Sequence, residues 1–214
     1  MAINRRTFIS STAAVIAIGS IAGGASAEEG DTIPLEKLMK PAGPQDRSLG
    51  AADAKITLIE YASPTCPHCA KFHVETYPEL KRTYVEAGQV RLVVRPFVRN
   101  VPDAVVFLLA YASTETAYFD LIEAFFKTQE QWSTSETPKT ALEKIAFQHG
   151  FTQESFDAAL KDQAGFDALE AARDQAMKEF HLTGTPTFYI NGKHRTGALS
   201  LEEHATEFEP LLRA

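Results

Sequence analysis

The chain has two cysteines, and they stand two residues apart in Cys66-Pro67-His68-Cys69. Before them runs Ile56 to Tyr61, ITLIEY. It is apolar and β-branched, and it reads as a buried strand. After them the chain enters a helix near Pro67, whose fixed φ suits a first helical turn. Cys69, Phe72, Tyr77, Leu80 and Tyr84 recur at roughly helical spacing, with Pro78 expected to kink or split the helix. A fold for this chain must therefore run a buried strand into a helix and place both thiols at the junction.

Three uses of such a pair are open. As a structural staple, a four-residue loop gives roughly 2 kcal/mol, against about 3 for fifteen residues, and no second pair adds to it. As a metal site, Cys66 and Cys69 supply two thiolates, with His68 and His73 near. Structural zinc takes four ligands, and no second cysteine pair exists, although a soft ion such as Cu(I) could use two thiolates. As a redox pair, Cys66 sits where first-turn N–H groups and the helix dipole favour an anion. Cys69 lies a turn further in and is less exposed. His68 can add a donor or a positive charge near the Cys66 sulfur. Each of these effects lowers the Cys66 pKa. A stabilised thiolate stabilises the reduced protein and makes its disulfide the stronger oxidant.

The remaining pattern is β-α-β, a helical block, then a β-hairpin and a helix. Val90 to Val94 is the second strand. Helices are expected from Pro102 to Ala112, Glu115 to Gln129, Thr137-Pro138 to about His149, Thr152 onward, and about Phe166 to Phe180. Phe107, Leu108, Phe119, Phe125 and Phe126 belong to their core, and Trp132 to a loop between helices. Thr187 to Ile190 and Lys193 to Thr196 flank Asn191-Gly192, a strong hairpin signal. Ser200 and Glu203 form a capping box for a last helix to about Leu212. The remaining histidines, His149, His181, His194 and His204, are scattered and receive no role. One parallel pair plus antiparallel strands makes an α/β fold with a mixed sheet.

Residues 1–27 read as an export signal. Arg5 and Arg6 precede an apolar run from Ala13 to Ala22, and Ala25 to Ala27 fits a small-residue cleavage site. The opening NRRTFIS resembles the twin-arginine type. The apolar run is short for a bilayer, which needs about 20 residues. Cleavage would remove two arginines and no acid, taking the net charge from −7 to −9. That balance disfavours nucleic acid and anionic membranes as partners. Export also places both thiols where disulfides persist.

With these features together, the chain resembles the thioredoxin-fold thiol-disulfide oxidoreductases, and among them the DsbA-like periplasmic oxidases. CPHC is the dipeptide associated with that group, and GTPTF at Gly184 to Phe188 looks like the loop carrying the fold's cis-proline. The resemblance covers about Ala54 to Leu212. It implies a thioredoxin-like mixed sheet, residues 55–101 and 182–214, with an inserted all-helical subdomain, residues 102–181, behind a surface lead-in, residues 28–54. It implies Cys66, Cys69, Pro67 and His68 as the redox centre, with Pro186 in cis and the Thr185 backbone free to pair with an extended substrate. Glu60 matches the family's buried acid, or else points to solvent at a strand end. Arg95 is either that acid's basic partner or a surface arginine. Reduced substrate proteins and a quinone-linked, DsbB-like membrane oxidase are the implied partners of a monomer needing no metal or organic cofactor. A reductase or isomerase of the same fold and a copper- or zinc-handling module remain as alternatives. Residues 28–54 are short for the dimerisation segment that such isomerases carry.

Overall fold

A computed structural model describes residues 30–214, so the expected export signal lies outside the described residues. In chain order the elements are α1 (Leu35–Leu38), β1 (Ser48–Leu49), β2 (Ile56–Ala62), α2 (Pro67–Lys71), α3 (Tyr77–Leu80), β3 (Val90–Pro96), α4 (Val101–Ala112), α5 (Glu115–Lys127), α6 (Gln129–Ser133), α7 (Pro138–Gln148), α8 (Gln153–Leu160), α9 (Gln163–Glu179), β4 (Thr187–Ile190), β5 (Lys193–Thr196) and α10 (Leu201–Arg213). The strands make one mixed sheet in the order β1-β3-β2-β4-β5. Among the described residues only β2 and β3 pair in parallel, with Glu60 opposite Val94 and Tyr61 opposite Arg95.

The period-two alternation of strands divides the core. Ile56, Leu58, Leu92, Val94, Phe188 and Ile190 join one cluster with Cys66, Cys69 and most of the helices. Ile59, Tyr61, Val93 and Tyr189 face the other way, onto Leu38, Ala176 and Phe180. Burial on both faces explains why the central strands read as near-continuous apolar runs rather than alternating ones.

The helix after the cysteines is interrupted as Pro78 requires. Pro78 has no N–H to give the carbonyl four residues back. The chain passes through π-helical turns at Phe72–Thr76 and Lys81–Val85, on either side of α3. The capping box at Ser200 and Glu203 is present. Thr137, before Pro138, makes no side-chain cap, and its own N–H is taken by the Ser135 hydroxyl. Trp132 differs from expectation. It lies in α6, fully buried, with its indole N–H on the Phe125 carbonyl at 2.8 Å. The phenylalanines and the leucine assigned to the core are buried. So is His204, wedged among Phe72, Phe188 and Phe208. Burial holds its pKa below the usual value.

The lead-in is more than a surface segment. Leu38 is buried in the second cluster. Gly30, Asp31 and Ile33 exchange backbone hydrogen bonds with His194 and Gly192 along β5. At the opposite edge β1 pairs with β3. Exposed edges carry unpaired backbone groups, and here one short segment covers part of each.

The Asn191-Gly192 turn has positive φ at both residues, 48° and 95°, as a type I′ hairpin demands. At Gly192 a Cβ would also stand 2.2 Å from the Ile33 carbonyl oxygen. We expect Gly192→Ala to cost at least 1–2 kcal/mol, roughly the left-handed penalty alone, read as a lowered denaturant midpoint.

Candidate active site

Cys66 is the N-cap of α2, with φ −82° and ψ 120°, and Pro67 occupies the first turn. The Cys66 carbonyl already accepts from the Ala70 N–H at 3.1 Å, while its own N–H goes to the Ser63 carbonyl at 2.9 Å. Both cysteines are free thiols. Cys69 is fully enclosed, and Cys66 is only 4% exposed. Cys66 is the more exposed of the two, as its position predicts, yet only a sliver of the residue reaches solvent. The reason is the loop before β4: the Cys66 sulfur stands 3.2 Å from the Thr185 carbonyl oxygen. The Thr185-Pro186 peptide is cis. Sequence positions 66 and 185 are thus brought into contact at one spot.

The two thiols differ sharply in acidity. The Cys66 pKa is lowered to about 5. The main cause is the hydrogen bond from the Cys69 thiol, which outweighs the burial that opposes ionisation. The Thr185 hydroxyl and the backbone N–H groups of Cys69 and His68 add to it. Thr185 thus serves both states. Its carbonyl accepts from the protonated thiol, and its hydroxyl, which has no other partner among the described residues, favours the thiolate. Cys69 moves the other way. Burial pushes its pKa well up, and its bond to Cys66 and the charge of Glu60 push in the same direction. His68 acts through its backbone. Its side chain is exposed. Pro67 is likewise exposed beside it.

Glu60 lies behind the thiols, fully buried, so its position is not that of a solvent-facing strand end. Its Oε2 is 2.9 Å from His73 Nε2, and its other oxygen has no partner among the described residues. Arg95 is neither the partner of Glu60 nor a surface residue. It is 3% exposed, and it forks onto both carboxylate oxygens of Asp46 at 2.7 and 2.6 Å and donates to the Tyr61 hydroxyl at 2.9 Å. The register explains the correction. Arg95 pairs with Tyr61 and Glu60 with Val94, so their side chains leave opposite faces of the sheet. The basic partner of Glu60 comes from the helix instead, as His73. Among the described residues, no group of three or more His, Cys, Asp or Glu donors is placed to hold a metal ion. No described helix is long and apolar enough to cross a membrane.

The family model described as thioredoxin matches residues 43–207. A provisionally named protein-disulfide oxidoreductase of Rickettsia bellii is 34% identical over 148 residues, covering 69% of this chain and 57% of that one. A provisionally named disulfide bond formation protein D of Bacillus anthracis is 27% identical over 158 residues, 68% of this chain and 70% of that one. The matched part spans 54–60% of the length of the rickettsial relatives. Among solved structures, alpha-DsbA1 of Wolbachia pipientis superposes with TM-score 0.78 and 25% identity, over 85% of this chain and 96% of that one. BdbD from Bacillus subtilis, at 18% identity, shares the fold with TM-score 0.73, over 89% of this chain and 100% of that one.

Proposed function

Because this chain belongs to the thioredoxin family as a DsbA-like member, we propose that it is a thiol-disulfide oxidase that gives its Cys66–Cys69 disulfide to reduced substrate proteins. One observation carries this reading. The Cys66 sulfur prefers to be a thiolate while the Cys69 sulfur prefers to stay a thiol.

The chemistry follows from that difference. A substrate thiolate attacks the Cys66 sulfur of the disulfide. The S–S bond breaks, Cys69 leaves with the electron pair, and burial makes it take up a proton. A mixed disulfide now joins substrate to Cys66. A second substrate thiolate attacks its own neighbouring sulfur and expels Cys66, which leaves readily because its thiolate is stable. The substrate has lost two electrons and two protons. The protein has gained both electrons and one proton, and the other proton goes to solvent. The Thr185 backbone, beside the sulfur, offers a place for an extended substrate segment to pair. A DsbB-like, quinone-linked membrane partner would restore the disulfide, and the export signal read at residues 1–27 supports a periplasmic setting.

The test is equilibrium of the mature protein with glutathione, together with Cys66 alkylation against pH. Half-maximal thiolate reactivity is expected at about pH 5. A protein poised near thioredoxin, about −270 mV, would instead be a reductase.

A linked effect on stability follows. An acidic group whose folded pKa is depressed contributes stability above its unfolded pKa and loses it as pH falls through the folded one. For Cys66 the window runs from about pH 8.5, the ordinary thiol value, down to about 5. The stability of the reduced protein relative to the oxidised one should fall by about 3 kcal/mol between pH 7 and pH 4. Denaturant unfolding of both forms across that range reads it. A difference that stays level with pH would remove the basis for oxidising power.

A further inference from the structure

The short stretch Ser63-Pro64-Thr65 joins β2 to α2 and ends at Cys66. Its backbone polar groups are outside any ladder and need partners. Helices inserted between β3 and β4 supply them. Gln129, the first residue of α6, donates from one nitrogen to the Pro64 carbonyl at 2.6 Å and to the Cys66 carbonyl at 2.9 Å. Both partners are acceptors, so only the amide NH2 of Gln129 can face them. Asp103, in the first turn of α4 and fully buried, accepts from the Thr65 N–H at 2.7 Å and the Ser63 hydroxyl at 2.7 Å. The Pro64–Thr65 peptide unit is therefore gripped at both ends, its oxygen by Gln129 and its nitrogen by Asp103. The next unit is held through the Cys66 N–H, and the one after that through the Cys66 carbonyl.

This matters for the sulfur. Rotation about the Cys66 Cα–C bond swings the Cys66 carbonyl and, with it, changes where the side chain stands over the first-turn N–H groups of His68 and Cys69. Gln129 binds that carbonyl. Without Gln129 the Cys66 carbonyl would keep only the Ala70 N–H and the Pro64 carbonyl would lose its donor, so the two facing negative ends would turn the loop apart. We propose that Gln129 is a positioning residue for the thiol chemistry: by bridging the Pro64 and Cys66 carbonyls it fixes the Cys66 backbone so that its sulfur stays over the first-turn amides. The inference rests on the oxidase reading, and it gives the inserted helices a direct hold on the reactive thiol.

Gln175 provides the control. In α9, far along the chain, it also makes a two-bond grip on backbone, accepting from the Ala42 N–H at 2.8 Å and donating to the Lys40 carbonyl at 3.0 Å. The experiment compares the wild type with Gln129→Met, which keeps the bulk and removes the donor, Gln129→Glu, which replaces the donor by an acceptor, and Gln175→Ala. Cys66 ionisation is followed by thiolate absorbance against pH, and redox poise by the glutathione equilibrium. Both Gln129 variants should need roughly tenfold lower proton concentration to half-ionise Cys66, and their glutathione equilibrium should move roughly tenfold toward the disulfide. Gln175→Ala should leave both unchanged, whatever it does to melting. If Gln129→Met and Gln129→Glu titrate like the wild type, Gln129 is a structural tie only and the inference falls. If the wild type itself titrates as an ordinary thiol, the oxidase reading falls first, and the two failures are told apart in one set of samples.

Discussion

Cys69→Ala should carry the Cys66 pKa from about 5 most of the way back to the free-thiol value of about 8.5. The Cys69 thiol is the leading source of the Cys66 acidity, ahead of the Thr185 hydroxyl and the two backbone N–H groups. Alanine removes that donor and leaves the other three. The same variant cannot close a disulfide, so catalysed oxidation of a dithiol peptide should drop to the uncatalysed rate. A mixed disulfide loaded onto Cys66 should then persist, because no neighbouring thiol can displace it. Mass spectrometry of the loaded protein and alkylation against pH measure the two effects on one preparation. Retention of a pKa near 5 in Cys69→Ala would mean that the Thr185 hydroxyl and the first-turn N–H groups hold the thiolate without the second thiol. Cys66→Ala should lose both the reaction and the trapped adduct, which separates the attacked sulfur from its neighbour.

Trp132→Ala should be the most damaging single change in the helical block. The ring is fully buried, and its N–H satisfies the Phe125 carbonyl. Truncating a buried tryptophan costs about 3–5 kcal/mol. For a domain of this size that lowers the melting temperature by roughly 6–20 °C. Trp132→Phe keeps most of the volume and strands the carbonyl, which costs about 1–3 kcal/mol. Calorimetry of the two variants separates packing from hydrogen bonding. A shift below about 2 °C for the alanine variant, less than 1 kcal/mol would give, would show that the site collapses around the missing ring. The consequence reaches the thiols, since Trp132 anchors the short α6 on which Gln129 stands.

How far the sequence speaks depends on the distance over which a signal acts. Strand β2, the proline-led α2, the Asn191-Gly192 turn and the Ser200 cap are local patterns of side-chain shape and backbone preference, and they were legible. So was the approach of Thr185-Pro186 to Cys66, though only through family resemblance, because no local rule links positions 66 and 185. Neither reading of Arg95 holds: its contact with Asp46 spans 49 positions and leaves no local signal, and the opposite faces of Glu60 and Arg95 follow only once the parallel register that sets Arg95 beside Tyr61 is known. His73 was visible as a possible metal donor near the cysteines, yet its contact with Glu60 depends on how the π-helical turn at Phe72–Thr76 presents it. Gln129 and Asp103 gave no signal at all. A glutamine and an aspartate on helices are unremarkable until folding lays them against a loop 38 to 65 positions away.

The segment that runs along both margins of the sheet has a consequence for the order of assembly. Gly30 and Ile33 bond to His194 and Gly192, roughly 160 residues downstream, a contact of very high order. A chain delivered from its N-terminus cannot close that ladder until the terminal hairpin has emerged. The first described residues must wait, extended and unpaired, for nearly all of the polypeptide to arrive. Completion of the β5 margin is then one of the last events of folding, and a ribosome-bound chain would lack it.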